Sequence, residues 1–141
     1  MRSLFISTLA LGLLAAPAMA QQVAAKAGSA VTKFDGASHD QYFGDPMEWA
    51  RFQMVLTTQE FREVRQGTEQ NTFTRLEDGY LVLTGCLVRA CMTTRAGLAV
   101  HVETGEAMAV IWQRDREPRV FGVSEGRLPQ SLAILANSGA L

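Results

Sequence analysis

The sequence predicts an α+β fold, an antiparallel sheet with flanking helices, on three observations. Apolar residues recur at helical steps of three and four up to Gly67 and again from Leu128. Between those segments the apolar period drops to two, and turn residues separate the alternating runs closely enough for a meander of strands. The chain has 141 residues, 48% of them apolar and 19% charged, which suits one compact domain and excludes disordered, collagen-like and low-complexity chains. Thirteen Lys and Arg face fourteen Asp and Glu. That balance lacks the cationic surplus of phosphate-backbone binding, so nucleic acid is not an expected partner.

The first twenty residues stand apart from the fold. Arg2, the apolar run Leu4 to Ala16 and the small-x-small triplet Ala18-Met19-Ala20 occur in the order of a secretory signal peptide, so residues 1–20 are expected to be removed by cleavage after Ala20. Gln21 stands where a lipoprotein would carry cysteine. The apolar core is too short for a bilayer of about 30 Å, and no later run reaches about 18 apolar residues, so no membrane span is expected. With Arg2 gone, twelve basic residues face fourteen acidic ones, a net charge of −2.

Residues 21–44 are small, polar and aperiodic, and are expected to form a loose arm ahead of a domain over residues 45–141. Asp45-Pro46 is an N-cap followed by proline at the first helical position, with Trp49, Phe52, Val55 and Leu56 on one face. Thr57 and Glu60 form a capping box ahead of Phe61 and Val64, and Gly67 ends that piece. The two pieces are either separate helices or one kinked helix. Thr72 to Leu76, the turn Glu77-Asp78-Gly79 and Tyr80 to Cys86 read as a hairpin. Leu98, Val100 and Val102 alternate with Ala99, His101 and Glu103. After a turn at Thr104-Gly105, Met108, Val110 and Trp112 alternate with Ala109 and Ile111. Arg114 to Arg119 is a charged connection, Val120 to Val123 a last strand, and Ser124-Glu125-Gly126 a break. Leu128, Leu132 and Leu135 then share a face of a closing helix that ends near Asn137 or Gly139.

Cys86 and Cys91 are the chain's two cysteines. In an exported protein an even pair at short spacing reads as a disulfide. Redox catalysis usually has two residues between the cysteines, and His39 and His101 lack paired zinc-ligand spacing, so neither metal nor cofactor is expected. A six-residue ring contributes only about 2 kcal/mol through loop-closure entropy. Its main effect is therefore on the shape of Leu87, Val88, Arg89 and Ala90, the tip of a connection with Cys86 ending one strand and Cys91 beginning the next. Two uses of that tip stay open on residues alone. It is a preordered docking element, which loses less entropy on binding, or it merely stabilises the connection, with Leu87 and Val88 folded onto the core.

The segment Tyr80-Leu-Val-Leu-Thr-Gly-Cys86, the four-residue loop, Cys91 and the alternating strand to Trp112 resemble the inhibitor of vertebrate lysozyme family, and the Glu125-Gly126 turn with the Leu-rich terminal helix extends the resemblance over about Thr72 to Leu141. The resemblance implies a periplasmic, commonly homodimeric inhibitor; that it is not an enzyme is expected from the residues, which hold no catalytic constellation. It would insert the loop between its cysteines into the active-site cleft of a lysozyme or related peptidoglycan hydrolase, where a histidine engages the catalytic carboxylates. This chain departs from the family there: the best-known loop reads Lys-Pro-His-Asp, against Leu87-Val88-Arg89-Ala90 here. Arg89 takes the histidine's place, and its planar fork suits bidentate contact with a carboxylate. The stiffening proline and bracing aspartate are gone, and a misfitted guanidinium loses more on desolvation than its ion pair returns. An envelope-binding or structural protein that keeps the scaffold without the inhibitory loop chemistry is the alternative.

The remaining candidates are thinner. His101 is expected on the solvated face of its strand, and His39-Asp40 lies in the expected arm without a nucleophile nearby. Glu77-Asp78 is most simply a solvated turn, and Arg114, Arg116 and Arg119 are interrupted by Asp115 and Glu117. The chain has no phosphate loop, no G-x-S-x-G elbow and no H-E-x-x-H.

Overall fold

Five strands form one antiparallel meander in a computed structural model that describes residues 30–70, 73–123 and 127–138. The expected signal peptide, residues 21–29 and the Ser124-Glu125-Gly126 break lie outside the described residues. The strands are β1 (Arg75–Glu77), β2 (Tyr80–Cys86), β3 (Thr94–His101), β4 (Ala107–Gln113) and β5 (Arg119–Phe121), in sheet order β1-β2-β3-β4-β5. Four α-helices accompany them: α1 (His39–Phe43), α2 (Pro46–Phe52), α3 (Thr58–Gln66) and α4 (Gln130–Asn137). The fold class is the α+β arrangement that the sequence predicts.

Local chemistry sets the element boundaries. Asp45 caps α2 by accepting from the Met47 N–H, with Pro46 at the first helical position. Thr57 and Glu60 complete their capping box on α3, whose C-cap is Gly67. Residues 53–57 separate α2 from α3, so the two pieces are distinct helices. Glu77 pairs with Tyr80 across a two-residue turn in which Asp78 and Gly79 have φ +53° and +82°. Two left-handed residues make the type I′ geometry whose twist suits a hairpin.

Helices cover both faces of the sheet. Leu81, Leu83, Leu98, Val100, Ala109 and Ile111 pack against Tyr42, Phe52, Leu56, Phe61 and Val64 from α1, the α2 region and α3. Tyr80, Val82, Ala99, Met108 and Val110 face the other way, onto Leu132 and Leu135 of α4. The central strands therefore carry unbroken apolar runs where both faces are covered, Tyr80 to Leu83, Leu98 to Val100 and Ala107 to Trp112. Burial of each fully covered Val, Leu, Ile or Phe side chain among them contributes about 1.5–3 kcal/mol.

Residues 30–44, expected as a loose arm, are instead part of the core. Ala30–Phe34 is a 3₁₀ helix with Val31 and Phe34 buried, and Ser38 caps α1, in which Tyr42 is fully buried. Thr74 holds the segment: its carbonyl accepts from the Gly36 N–H and its N–H donates to the Ala37 carbonyl, both at 2.9 Å. His39 is buried as well, with Nε2 donating to the Arg65 carbonyl at 2.9 Å. A buried polar cluster lies beside it in the fold. Tyr42 donates to Glu48 Oε2 at 2.8 Å, and Arg51 donates to both Glu48 oxygens and to the Gly105 carbonyl at 2.9 Å. The cluster fastens α2 to the β3–β4 turn, and burial, with the Glu48 charge beside it, pushes the Tyr42 hydroxyl pKa well above its ordinary value.

Two further expectations are corrected by long-range contacts. His101 is half-buried, not solvated: Tyr80 meets its ring edge-on at 4.9 Å, and Nδ1 accepts from the Glu103 and Thr104 N–H groups at 3.3 and 3.2 Å. Glu77 and Asp78 are the N-terminal caps of α4. Glu77 accepts from the Ser131 N–H and hydroxyl, both at 2.7 Å, and Asp78 from the Gln130 N–H at 3.3 Å. Carboxylates at that end also suit the helix dipole. Burial raises the Glu77 pKa, but the Ser131 bonds and Arg75 outweigh it and hold the carboxyl below its ordinary value.

Candidate functional site

The antiparallel pairing of β2 with β3 runs from Tyr80 opposite His101 to Cys86 opposite Arg95, which leaves residues 87–93 projecting at one end of the sheet. Cys86 and Cys91 form a disulfide with Cα atoms 4.7 Å apart, clamping that connection at its base. Cys86 ends β2 as expected. Cys91 does not begin the next strand: β3 starts at Thr94, because residues 91–93 turn before the ladder resumes.

Main-chain bonds hold the rest of the loop. The Leu87 N–H donates to the Thr94 carbonyl at 3.1 Å, and the Ala90 N–H donates back to the Leu87 carbonyl at 2.9 Å, closing a four-residue turn. Arg89 has φ +64° at the third position of that turn, while Val88 is not left-handed. This is the sign pattern of a type II turn, in which glycine or asparagine is the usual third residue. The Thr93 and Thr94 N–H groups both reach the Ala90 carbonyl at 2.9 Å, and Arg95 Nε donates to the Cys91 carbonyl at 2.9 Å. From outside, the Gln70 N–H donates to the Cys86 carbonyl at 3.1 Å. Together these bonds make residues 86–94 a short, mutually fixed finger braced by Gln70 and Arg95.

The side chains divide accordingly. Leu87 and Ala90 are half-buried at the base, whereas Val88 is 49% exposed and Arg89 is exposed at the tip. The Arg89 guanidinium has no hydrogen-bond or ion-pair partner among the described residues. What the finger offers is a methyl-bearing shoulder beside a cation with five N–H donors uncommitted. It has no nucleophile and no general acid or base.

Several residues at this end escaped the sequence reading. Met92 is 66% exposed beside the clamp. Arg95 lies over the Trp112 ring at 5.6 Å, and the two face each other across β3 and β4. Only the strand register reveals that pair. A cavity of about 430 Å³ opens beneath the disulfide, with Gln70, Arg95, Ser131 and Ser138 on its wall. His39 and His101 lie elsewhere, in α1 and at the far end of β3. Of the interrupted arginines, Arg119 pairs with Glu63 of α3, and Arg114 and Arg116 are exposed after β4. Among the described residues, no group of three or more His, Cys, Asp or Glu is placed to hold a metal ion, and no helix is long and apolar enough to cross a membrane.

Comparison with known proteins returns one family. No curated protein and no solved structure matches the chain. The description of the inhibitor of vertebrate lysozyme (Ivy) family matches residues 49–138, from α2 through the clamped loop to the end of α4. That match spans well over half the sequence and both layers that carry the finger, and the chain therefore belongs to the inhibitor of vertebrate lysozyme family.

Proposed function

We propose that the chain is exported to the periplasm, is cleaved after Ala20, and blocks a lysozyme or related peptidoglycan hydrolase by docking the Cys86–Cys91 loop into its active-site cleft. The observation that carries this reading is the exposed, unpartnered Arg89 at the tip of a finger fixed by a disulfide and main-chain bonds. Family membership supplies the class of partner. A glycosidase cleft holds two carboxyl groups about 5–9.5 Å apart, one protonated and one ionised. A guanidinium suits that pair, since its fork donates in two directions at once and it keeps its charge at every working pH. The fixed backbone removes much of the ordering cost that a free loop would meet on docking. The loop thus occupies the site as an inert plug. The family resemblance adds a homodimer to this reading, which light scattering on the purified protein checks.

The test is inhibition of wall lysis by C-, G- and I-type lysozymes in the presence of purified mature protein, wild type and Arg89→Ala. Wild type should slow at least one class, and Arg89→Ala should weaken that inhibition more than about fivefold, or about 1 kcal/mol. Inactivity of the wild type against all three classes overturns the proposal.

A further inference from the structure

Two connections leave the sheet at the same end. The β2–β3 loop follows Cys86 and the β4–β5 connection follows Gln113, and Thr94 lies opposite Gln113 as Cys86 lies opposite Arg95. With the strands in sequential order and about 4.8 Å apart, the midlines of the two connections are two spacings, or about 10 Å, apart. They are joined mechanically. The Arg114 N–H donates to the Thr93 carbonyl at 2.9 Å, and Arg95 links the Cys91 carbonyl to the Trp112 ring.

Concave ground lies around this pair of ridges. Residues 112–117 and Ser138 line a cavity of about 420 Å³, and Ser138 also borders the cavity beneath the disulfide. Arg114 is exposed, and like Arg89 its guanidinium has no partner among the described residues. One uncommitted cation therefore stands on each ridge.

We propose that Arg114 and the β4–β5 connection form a second half of the lysozyme-binding surface. This rests on the inhibitor reading above and extends it from a loop to a two-ridged face. A spacing of about 10 Å exceeds the separation of a glycosidase's two carboxyls, so when Arg89 meets that pair the second ridge falls on the wall of the cleft. The run Arg114-Asp115-Arg116-Glu117 has no net charge. Its contribution is accordingly to register and to the choice of lysozyme, since alternating charges reject a mismatched wall, more than to bulk attraction.

The experiment measures binding of the mature oxidised protein to the lysozyme that wild type inhibits, with Arg114→Ala, Arg114→Glu and Arg89→Ala compared after thermal melts show that each variant folds. Arg114→Ala should weaken binding about five- to tenfold and Arg114→Glu further, with a loss that shrinks at high salt. Combined with Arg89→Ala, the loss should exceed that of either single variant, since the two side chains have no shared partner within the chain. If both Arg114 variants bind within about twofold of wild type, the second ridge is wrong and the loop reading stands. If wild type binds no lysozyme, the inhibitor reading fails and takes this inference with it.

Discussion

Replacing Arg89 with glycine separates the shape of the loop from its chemistry. Arg89 has φ +64°, where the Cβ of an L-residue crowds the following carbonyl at about 1–2 kcal/mol. Glycine relieves that crowding but loses more backbone freedom on folding, at about 0.5–1 kcal/mol. Alanine keeps the Cβ and hence the crowding. Arg89→Gly should therefore be about 0.5–1 kcal/mol more stable than Arg89→Ala, a rise in Tm of about 2–4 °C for a chain of this size. Both variants lack the guanidinium, so both should lose inhibition together. The assay pairs circular-dichroism melts of the oxidised proteins with the wall-lysis titration. If Arg89→Gly melts no higher than Arg89→Ala, the turn is not held in the left-handed conformation. Inhibition by Arg89→Gly at the wild-type level would show that the cation is not a contact.

Removing the Glu77 carboxylate by Glu77→Ala strips the Ser131 bonds from the first turn of α4, and should lower stability by about 1–2 kcal/mol in a urea titration. Because folding depresses the Glu77 pKa, its contribution is full above the ordinary glutamate value of 4.5 and fades as pH falls through the lower folded value; Glu77→Gln should flatten that acid-side loss. Glu48→Ala leaves the mostly buried Arg51 without its carboxylate and Tyr42 without its acceptor, so a loss of about 3 kcal/mol or more is expected by denaturant unfolding. Reducing the Cys86–Cys91 bridge should cost only about 2 kcal/mol of global stability yet abolish most inhibition; equal inhibition by reduced and oxidised protein would remove the clamp from the mechanism.

Signals that act within a few residues were legible in the sequence. Asp45-Pro46, the Thr57 and Glu60 box, the Asp78-Gly79 turn and the alternation through β3 and β4 each specify backbone geometry from near neighbours. What was missed depends on partners distant in the chain. The segment 30–44 has no helical or strand period to its large apolar residues, and its order comes from burying Val31, Phe34 and Tyr42 in the core and from Thr74, 37 residues beyond Ala37. Glu77 resembles any turn acid until α4 arrives from 54 residues away at Ser131. The loop itself was visible from its cysteines, but not the left-handed Arg89, since arginine is a poor marker for that conformation. Nor was the Arg95–Trp112 buttress, which exists only once β3 and β4 are in register.

The finger is secured by sulfur and by peptide groups, and in none of its fixing bonds does a side chain of residues 87–90 take part. The two exposed positions, Val88 and Arg89, are thus a display frame. Their chemistry can be rewritten while the helices on either side of the sheet stay untouched, so on the proposed reading a change of target needs new side chains at the tip and no refolding.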